Sequence, residues 1–523
     1  MSAVVRKTLH LSRTLAASLL LTLLCACSFY DYDAYETITK PAQTATEKYI
    51  NLSIVVSTGN ENVTRAPLGG ENGDGREAGF ERENKVTGIT LMLYKVNSDD
   101  DDINSSLSEK IAFIDYYPVT EIPNSRQEAG TGYDKIKTDE VIYTTGEQLL
   151  TDFVLSGKYR AIVVANLNLT TDITTENTVE DVCEKTTEKI YDGNGLRVDA
   201  QNFVMASEDK GVLLDFTQKP TPEGNKIVYK FDYIRIERLA ARVDFWMHNA
   251  KYNTDRKGYE YAVSKADGFP SNDKFVLTAV TPFNLYKDEA KEYFIKRTDD
   301  ETNPYLADET TENCVIDPWT KEDKTASSSE YYKNPLSTLV ENDKEKRSLA
   351  NITDFYQTTQ SLYESIPTDG ASEEDKKKTQ QAPFTENNQT YTDNFILCYP
   401  KENTLLPTAP LYYYATGIAI EGDYYKDGTG KPEHLIYYGY LRHQGEKESG
   451  SYTIQAADAL DETYKYEDDQ NAPSMNFSVV RNNIYRVYID KITERGDKPE
   501  KPEIKWRIMV KNWDRFEHKT IFM

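Results

Sequence analysis

The chain has 523 residues, room for two to four domains at roughly 150 residues each. Its 38% hydrophobic and 11% aromatic content can build packed cores, which excludes global disorder. A formal net charge of −25 excludes a nucleic-acid partner, because neutralising phosphates needs clustered Lys and Arg; acidity of this kind fits a soluble surface protein and specifies no ligand.

The N-terminus comes first. "MSAVVRKTLHLSR" supplies basic residues, and "TLAASLLLTLL" is apolar but shorter than the roughly 20 residues of a bilayer span. "LCAC" follows, with Leu24 three residues before Cys27 and small Ala26 immediately before it. This junction resembles a bacterial lipobox, which implies that residues 1–27 form a lipoprotein signal and that Cys27 is acylated. No later apolar segment approaches spanning length, so membrane attachment is expected through lipid alone. Residues 28–48 look like an irregular tether.

"YINLSIVVS" (49–57) then sets Ile50, Leu52, Ile54 and Val56 on one face, the period of a strand with one buried side. Residues 58–85 hold Gly, Asn, Glu and Arg without periodicity and are expected to form a loop. A structureless loop of that length usually has a purpose. "TGITLMLYKV" (87–96) and "KYRAIVVANLNL" (158–169) are strand-like, and "KIVYKFDYIRIERLAARVDFWMHN" (226–249) alternates over much of its length. Strands are also expected in "KFVLTAVTPFNLY" (274–286), "NFILCYP" (394–400), "PLYYYATGIAIEG" (410–422), "HLIYYGYL" (434–441), "FSVVRNNIYRVYIDKI" (477–492) and "EIKWRIMVKNW" (503–513). Only "DFYQTTQSLYESI" (354–366) has convincing helical spacing. The 38 tyrosines suit pleated, half-buried surfaces. Short strands between Gly, Pro, Asn and Asp turns predict an all-β chain of two β-sandwiches. Long acidic insertions (296–349 and 366–393) and a minor helix interrupt them. The domain boundary is placed before "FDYIRIERLAARVDF", giving 49–228 and 229–523.

Little in the chain points to catalysis. None of His10, His248, His434, His443 and His518 has zinc-protease spacing, and neither a Gly-x-Ser-x-Gly elbow nor a phosphate loop is present. A carboxylate pair of glycosidase type is not singled out among 86 acidic residues. "NSDDDDINSS" (97–106) lacks the Gly and terminal Glu of an EF-hand and reads as a solvated hairpin tip. "ENGDGREAG" (71–79) reads as loop. Cys183, Cys314 and Cys398 match no zinc spacing and read as structural thiols. The aromatics of "YYYATG" and "YYGYL" fit cross-strand packing better than a sugar-binding surface. The expectation is a non-enzyme with no catalytic, cofactor or metal residue.

Several segments recur in a fixed order: the lipobox cysteine, the isolated strand "YINLSIVVS", a polar loop with "TRA", "VTGITLMLYKV", "GKYRAIVVANL", "RLAARVDF", "FVLTAVTPFNLY", "FILCYPKENT", "YYYATGIAI", "SVVRNNIYRVYIDKI" and "IKWRIMVKNW". This order resembles the fimbrillins of Bacteroidales, the type V pilins, and most nearly the major-subunit branch of their short fimbriae. The resemblance implies two tandem transthyretin-like sandwiches. It also implies a lipidated precursor at the cell outer membrane, cut by an arginine-specific protease after the first strand. Subunits then join other copies of the chain, and anchor and tip subunits, by donor-strand exchange in an extracellular fimbrium that serves adhesion. "NENVTRAPLGG" (60–70) suits the cut at Arg65–Ala66, since such cleavage needs Arg in an extended, exposed segment. Arg76 and Arg82, each followed by Glu, are poorer sites. "IKWRIMVKNW" alternates Ile504, Trp506, Ile508 and Val510, and the chain ends on Ile521, Phe522 and Met523. Residues 503–511 are expected to complete their own sheet, and 513–523, with Trp513, Phe516, Ile521 and Phe522, to be the donor segment. Two alternatives stay open: an anchor or tip subunit, and an outer-surface glycan-binding lipoprotein.

Overall fold

β-Branched and aromatic residues in alternation put a little over half of the described residues into strands, and turns and irregular segments make up most of the remainder. The computed structural model describes residues 47–56, 76–78, 81–121, 142–149, 157–193, 200–207, 212–217, 221–223, 226–231, 234–301, 304–305, 315–319, 331–333, 335, 384–386, 389–391, 394–405, 414–443, 451–454, 477–495 and 501–514. Among these, helix is limited to short pieces, and the protein is all-β. Val179–Cys183 is one such piece. Asp181 N donates to the Thr178 hydroxyl (3.2 Å) and Thr178 N to the Asp181 carboxylate (2.8 Å), a capping box that satisfies two otherwise orphaned donors. The helical spacing of 354–366 lies outside the described residues.

Two sheets build the first half. In the larger, the order is Ile111–Pro118, Gly88–Val96, Lys158–Ala165, Met205–Ser207, Ile234–Arg238, Ser53–Val56, Ile142–Thr144 and Thr120–Glu121. The smaller runs Thr221–Glu223, Lys226–Lys230, Glu47–Asn51 and Gln148–Leu149. Gly88–Val96 is buried on both faces except at Lys95, as a central strand between two layers must be. The acidic run 97–106 closes a hairpin tip. There Asp101 Oδ2 accepts from the main-chain N of Asn97 and Ser98 (2.8 and 2.9 Å), and Arg160 donates to the Asp99 carbonyl (2.6 Å).

The second half is one large sheet folded over itself. Asn483–Thr493 pairs in parallel with Arg242–Trp246 over its first half and with Gly258–Ser264 at its end, so its edge is shared between two layers. Pro270–Phe283, Gly417–Tyr425 and Glu433–Tyr440 extend the sheet in antiparallel fashion. Tyr437, Tyr438 and Tyr440 are buried, and the Tyr437 ring meets Phe275 edge-on at 5.8 Å. Trp506 lies over Gly439 and leaves no room there for a Cβ.

Two corrections to the sequence reading follow. The run 226–249 is not one alternating element; it breaks into Lys226–Lys230, Ile234–Arg238 and Arg242–Trp246, which lie in three different sheets. The first core cluster reaches Ala240 and the second begins at Ala241, where two small residues let the chain pass between layers. The loop expected at 58–85 contains a strand, Arg76–Ala78, and a helical turn, Glu81–Asn84. The strand has no alternation to betray it, because its pairing comes from the last strand, Glu503–Asp514.

A buried polar seam joins the halves. Asp244 accepts two bonds from Arg242 (2.8 Å each), one from Arg486 (2.9 Å) and one from Asn394 (2.9 Å). Arg242 also reaches Glu83 at 3.3 Å, while Arg238 donates to the Glu83 carbonyl and to Asn482. Burial alone would push Asp244 up, but the adjacent Arg242 and Arg486 guanidiniums outweigh it and hold the carboxyl below its usual value. Cys183 and Cys398 are buried free thiols, both pushed up by burial, Cys398 to about 12.

Candidate functional site

The site is the first strand and the groove that holds it. Ile50, Leu52 and Ile54 are fully buried while Tyr49, Asn51 and Ser53 are half-buried, so the alternation in the sequence is realised in three dimensions. Glu47–Asn51 pairs in parallel with Lys226–Lys230 on one side and antiparallel with Gln148–Leu149 on the other. After Leu52 the chain changes sheets. Ser53–Val56 pairs in parallel with Ile234–Arg238 and antiparallel with Ile142–Thr144. Both flanking segments make the same step between sheets, one between Lys230 and Ile234, the other through Gly146 in the left-handed region (φ 64°). Three segments therefore cross side by side, with the N-terminal one in the middle.

Polar bonds fix the crossing point. Leu52 N donates to the Thr145 hydroxyl and Thr145 N to the Leu52 carbonyl, both at 3.1 Å, and the Thr144 hydroxyl donates to Asn51 Oδ1 at 2.8 Å. Taking this strand away would leave two facing ladder edges and the space of three aliphatic side chains. Those side chains are worth about 5–9 kcal/mol together at roughly 1.5–3 kcal/mol each. Open edges of this kind are templates for another strand.

Arg65 and Ala66 lie outside the described residues. The other two arginines of the region do not. Arg76 sits in a parallel ladder opposite Asn512, and Arg82 lies in the helical turn with its guanidinium donating to the Tyr399 hydroxyl at 3.2 Å. A protease needs extended, accessible backbone; Arg82 lies in a helical turn, and the Arg76 main chain is already paired with Asn512.

At the other end, Ile504, Trp506, Ile508 and Val510 are buried on one face of Glu503–Asp514, as their alternation predicts. This strand pairs antiparallel with Asn483–Thr493. Its second edge carries Ser451–Ile454 near the start and Arg76–Ala78 at residues 512–514. The main chain of Trp513 is thus opposite Glu77 of the same chain. Phe516, Ile521, Phe522 and Cys27 lie outside the described residues. Sequence reasoning passed over the groove's far wall, although "VIYTTGEQLL" carries short apolar runs around Thr-Gly, a hairpin-like signal.

Fold and site together define an all-β protein whose N-terminal strand is gripped between two partners in each of two sheets. No family model matches the sequence, and no curated protein matches it. Solved structures similar to the chain include a candidate cell adhesion protein of Parabacteroides distasonis ATCC 8503 (TM-score 0.41, 14% identity, 90% of this chain and 99% of that one). Another is the fimbrilin FimA of Porphyromonas gingivalis W83 (TM-score 0.36, 11% identity, 90% and 99%). A third is the C-terminally truncated tip fimbrial protein Mfa3 of Porphyromonas gingivalis (TM-score 0.34, 10% identity, 89% and 100%).

Proposed function

We propose that this chain is the precursor of a structural subunit of a surface fimbria, a type V pilin that joins other copies of itself by strand exchange. In this reading Cys27 carries the lipid that delivers the precursor to the outer membrane. An arginine-specific protease then cuts Arg65–Ala66, and the strand Glu47–Val56 leaves its groove to the donor segment of the next subunit. The observation that carries the reading is the placement of that strand. It is ladder-bonded on both sides, buries three side chains, and precedes the Arg65 stretch in sequence.

The physics gives the cut a clear role. An attached strand rebinds its own groove at the high effective concentration of a tethered segment, on the order of millimolar. Cleavage ends that advantage without changing the groove, so an incoming strand of matching pattern can compete. The test is N-terminal sequencing of subunits from surface fibres, paired with Arg65→Ala. The expected result is a mature N-terminus at Ala66, and an Arg65→Ala protein that is folded and monomeric. Normal fibres from Arg65→Ala subunits without a cut elsewhere in 57–87 would sink the proposal.

A further inference from the structure

The end of the second sheet away from the polar seam carries a hollow of about 230 Å³. Its walls are the hairpin between Gly258–Ser264 and Pro270–Phe283, the turn Lys426–Gly428 and the end of Asn483–Thr493. Eight residue steps from Arg486 to Glu494, at about 3.3 Å each, put it roughly 26 Å from the seam. The lining includes Lys265, Asn272, Asp273, Lys426, Asp427 and Glu494.

Asp273 forms a fixed acceptor in this lining. It is buried, accepts Asp427 N at 2.7 Å on one oxygen and the Tyr424 hydroxyl on the other. Burial, reinforced by Asp273, pushes Tyr424 well up, so its hydroxyl stays a donor. A carboxylate has about four acceptor positions, and these two bonds leave room for a ligand hydroxyl. Around it, the side chains of Lys265, Asn272, Lys426 and Glu494 make no hydrogen bond or ion pair among the described residues. Unspent donors and acceptors of both kinds thus converge on one concavity.

The chemistry of the lining selects the ligand class. Two lysines face three carboxylates, a net charge of −1 that disfavours phosphate or sulfate. Among the described residues no group of three His, Cys, Asp or Glu is placed to hold a metal ion. The volume is below the roughly 300–1,000 Å³ of pockets for drug-sized ligands. Next in the chain to the lining residue Pro270, outside the lining itself, is Phe269, 67% exposed. Its main chain is pinned, the carbonyl accepting from Lys265 N at 2.7 Å and the N–H donating to Asp267 at 3.1 Å. An exposed aromatic one residue from the rim of a polar hollow fits a ligand that is apolar on one face and hydroxyl-rich at its rim.

We propose that this hollow binds one neutral pyranose residue of a glycan, with Phe269 stacking on the ring and Asp273, Asn272 and Glu494 taking its hydroxyls. The site does not depend on strand exchange. The test is saturation-transfer NMR on the full chain with millimolar methyl α-mannopyranoside, methyl β-galactopyranoside, methyl α-fucopyranoside and methyl β-N-acetylglucosaminide. At least one glycoside is expected to receive transfer, mainly on one ring face. Its affinity is expected to fall at least tenfold in Phe269→Ala and in Glu494→Gln, with melting temperatures unchanged. Transfer to none of the four, or affinity undiminished in both variants, would overturn the proposal.

Discussion

Glu292 is a fully buried carboxyl whose neighbours decide its charge. It lies 3.5 Å from the Arg481 guanidinium without a hydrogen bond, because Glu402 holds that guanidinium at 2.6 Å. Lys401 gives its protons to the carbonyls of Glu188 (2.8 Å), Asp288 (2.6 Å) and Ala290 instead. Burial, then the charge of Glu402, pushes Glu292 well above its ordinary value. A carboxyl whose folded value is raised contributes fully only below its unfolded value near 4.3, and the contribution fades as pH rises toward the folded value. Glu292→Gln removes that dependence. Relative to the variant, the native chain is expected to lose about 1.4 kcal/mol per pH unit above pH 4.3. Urea unfolding at pH 4 should find the two alike, and at pH 7 the variant should be more stable. Equal stability at both pH values would mean that Glu292 is ionised and paired. The same scale explains why "RLAARVDF" and "VVRNNIYRV" are such distinctive stretches. Arg238, Arg242, Arg481 and Arg486 are buried with their partners, where losing one member of a pair is far costlier than at a surface.

Among the elements, the N-terminal strand carries the most specific energetic claim. Leu52 is fully buried at the point where the strand changes sheets, and its main chain is bonded both ways to Thr145. Leu52→Ala is expected to cost about 2–5 kcal/mol in the uncut chain, and Ser53→Ala, on the half-exposed face, under about 0.5 kcal/mol. Urea unfolding of both decides; equal midpoints would show that the groove is not a main store of stability. This element was legible in the sequence because Ile50, Leu52 and Ile54 alternate and nothing else competes for them. The burial of Ile504, Trp506, Ile508 and Val510 was legible for the same reason. Arg76–Ala78 was not, since three residues show no period and their partner lies more than 400 positions away. Val179–Cys183 was missed although Thr178-Val-Glu-Asp181 spells its capping box, because the helix is too short for periodicity to register. The three-way break of 226–249 was hidden because each piece alternates well; only the neighbours decide where the chain changes layer.

At the scale of the whole molecule, the groove lies in the first pair of sheets and the last strand in the second. If the proposed donor segment fits that groove, the two surfaces lie at different places on one chain, and head-to-tail contacts of that kind generate rings or open filaments rather than isologous pairs. The segment beyond Arg65 ties the two regions together, because Arg76–Ala78 pairs with residues 512–514. Those residues complete their own subunit's ladder, which places the segment proposed to enter a neighbour after Asp514, where Phe516, Ile521 and Phe522 follow. Three such apolar side chains, at roughly 1.5–3 kcal/mol each, with ladder bonds at about 1 kcal/mol net apiece, are comparable with what the departing strand gives up. The proposed exchange would then be close to balanced, and loss of the tether would decide its direction. Deleting residues 515–523 should therefore leave the melting temperature within about 2 °C of the native chain and leave cleavage at Arg65 intact, while abolishing fibres in electron micrographs. Mixing this truncated protein with the full-length chain should shorten the fibres, since it accepts a neighbour but donates to none. Fibres of ordinary length from the truncated protein alone, or a large fall in its melting temperature, would show that these nine residues serve their own fold and not the next subunit.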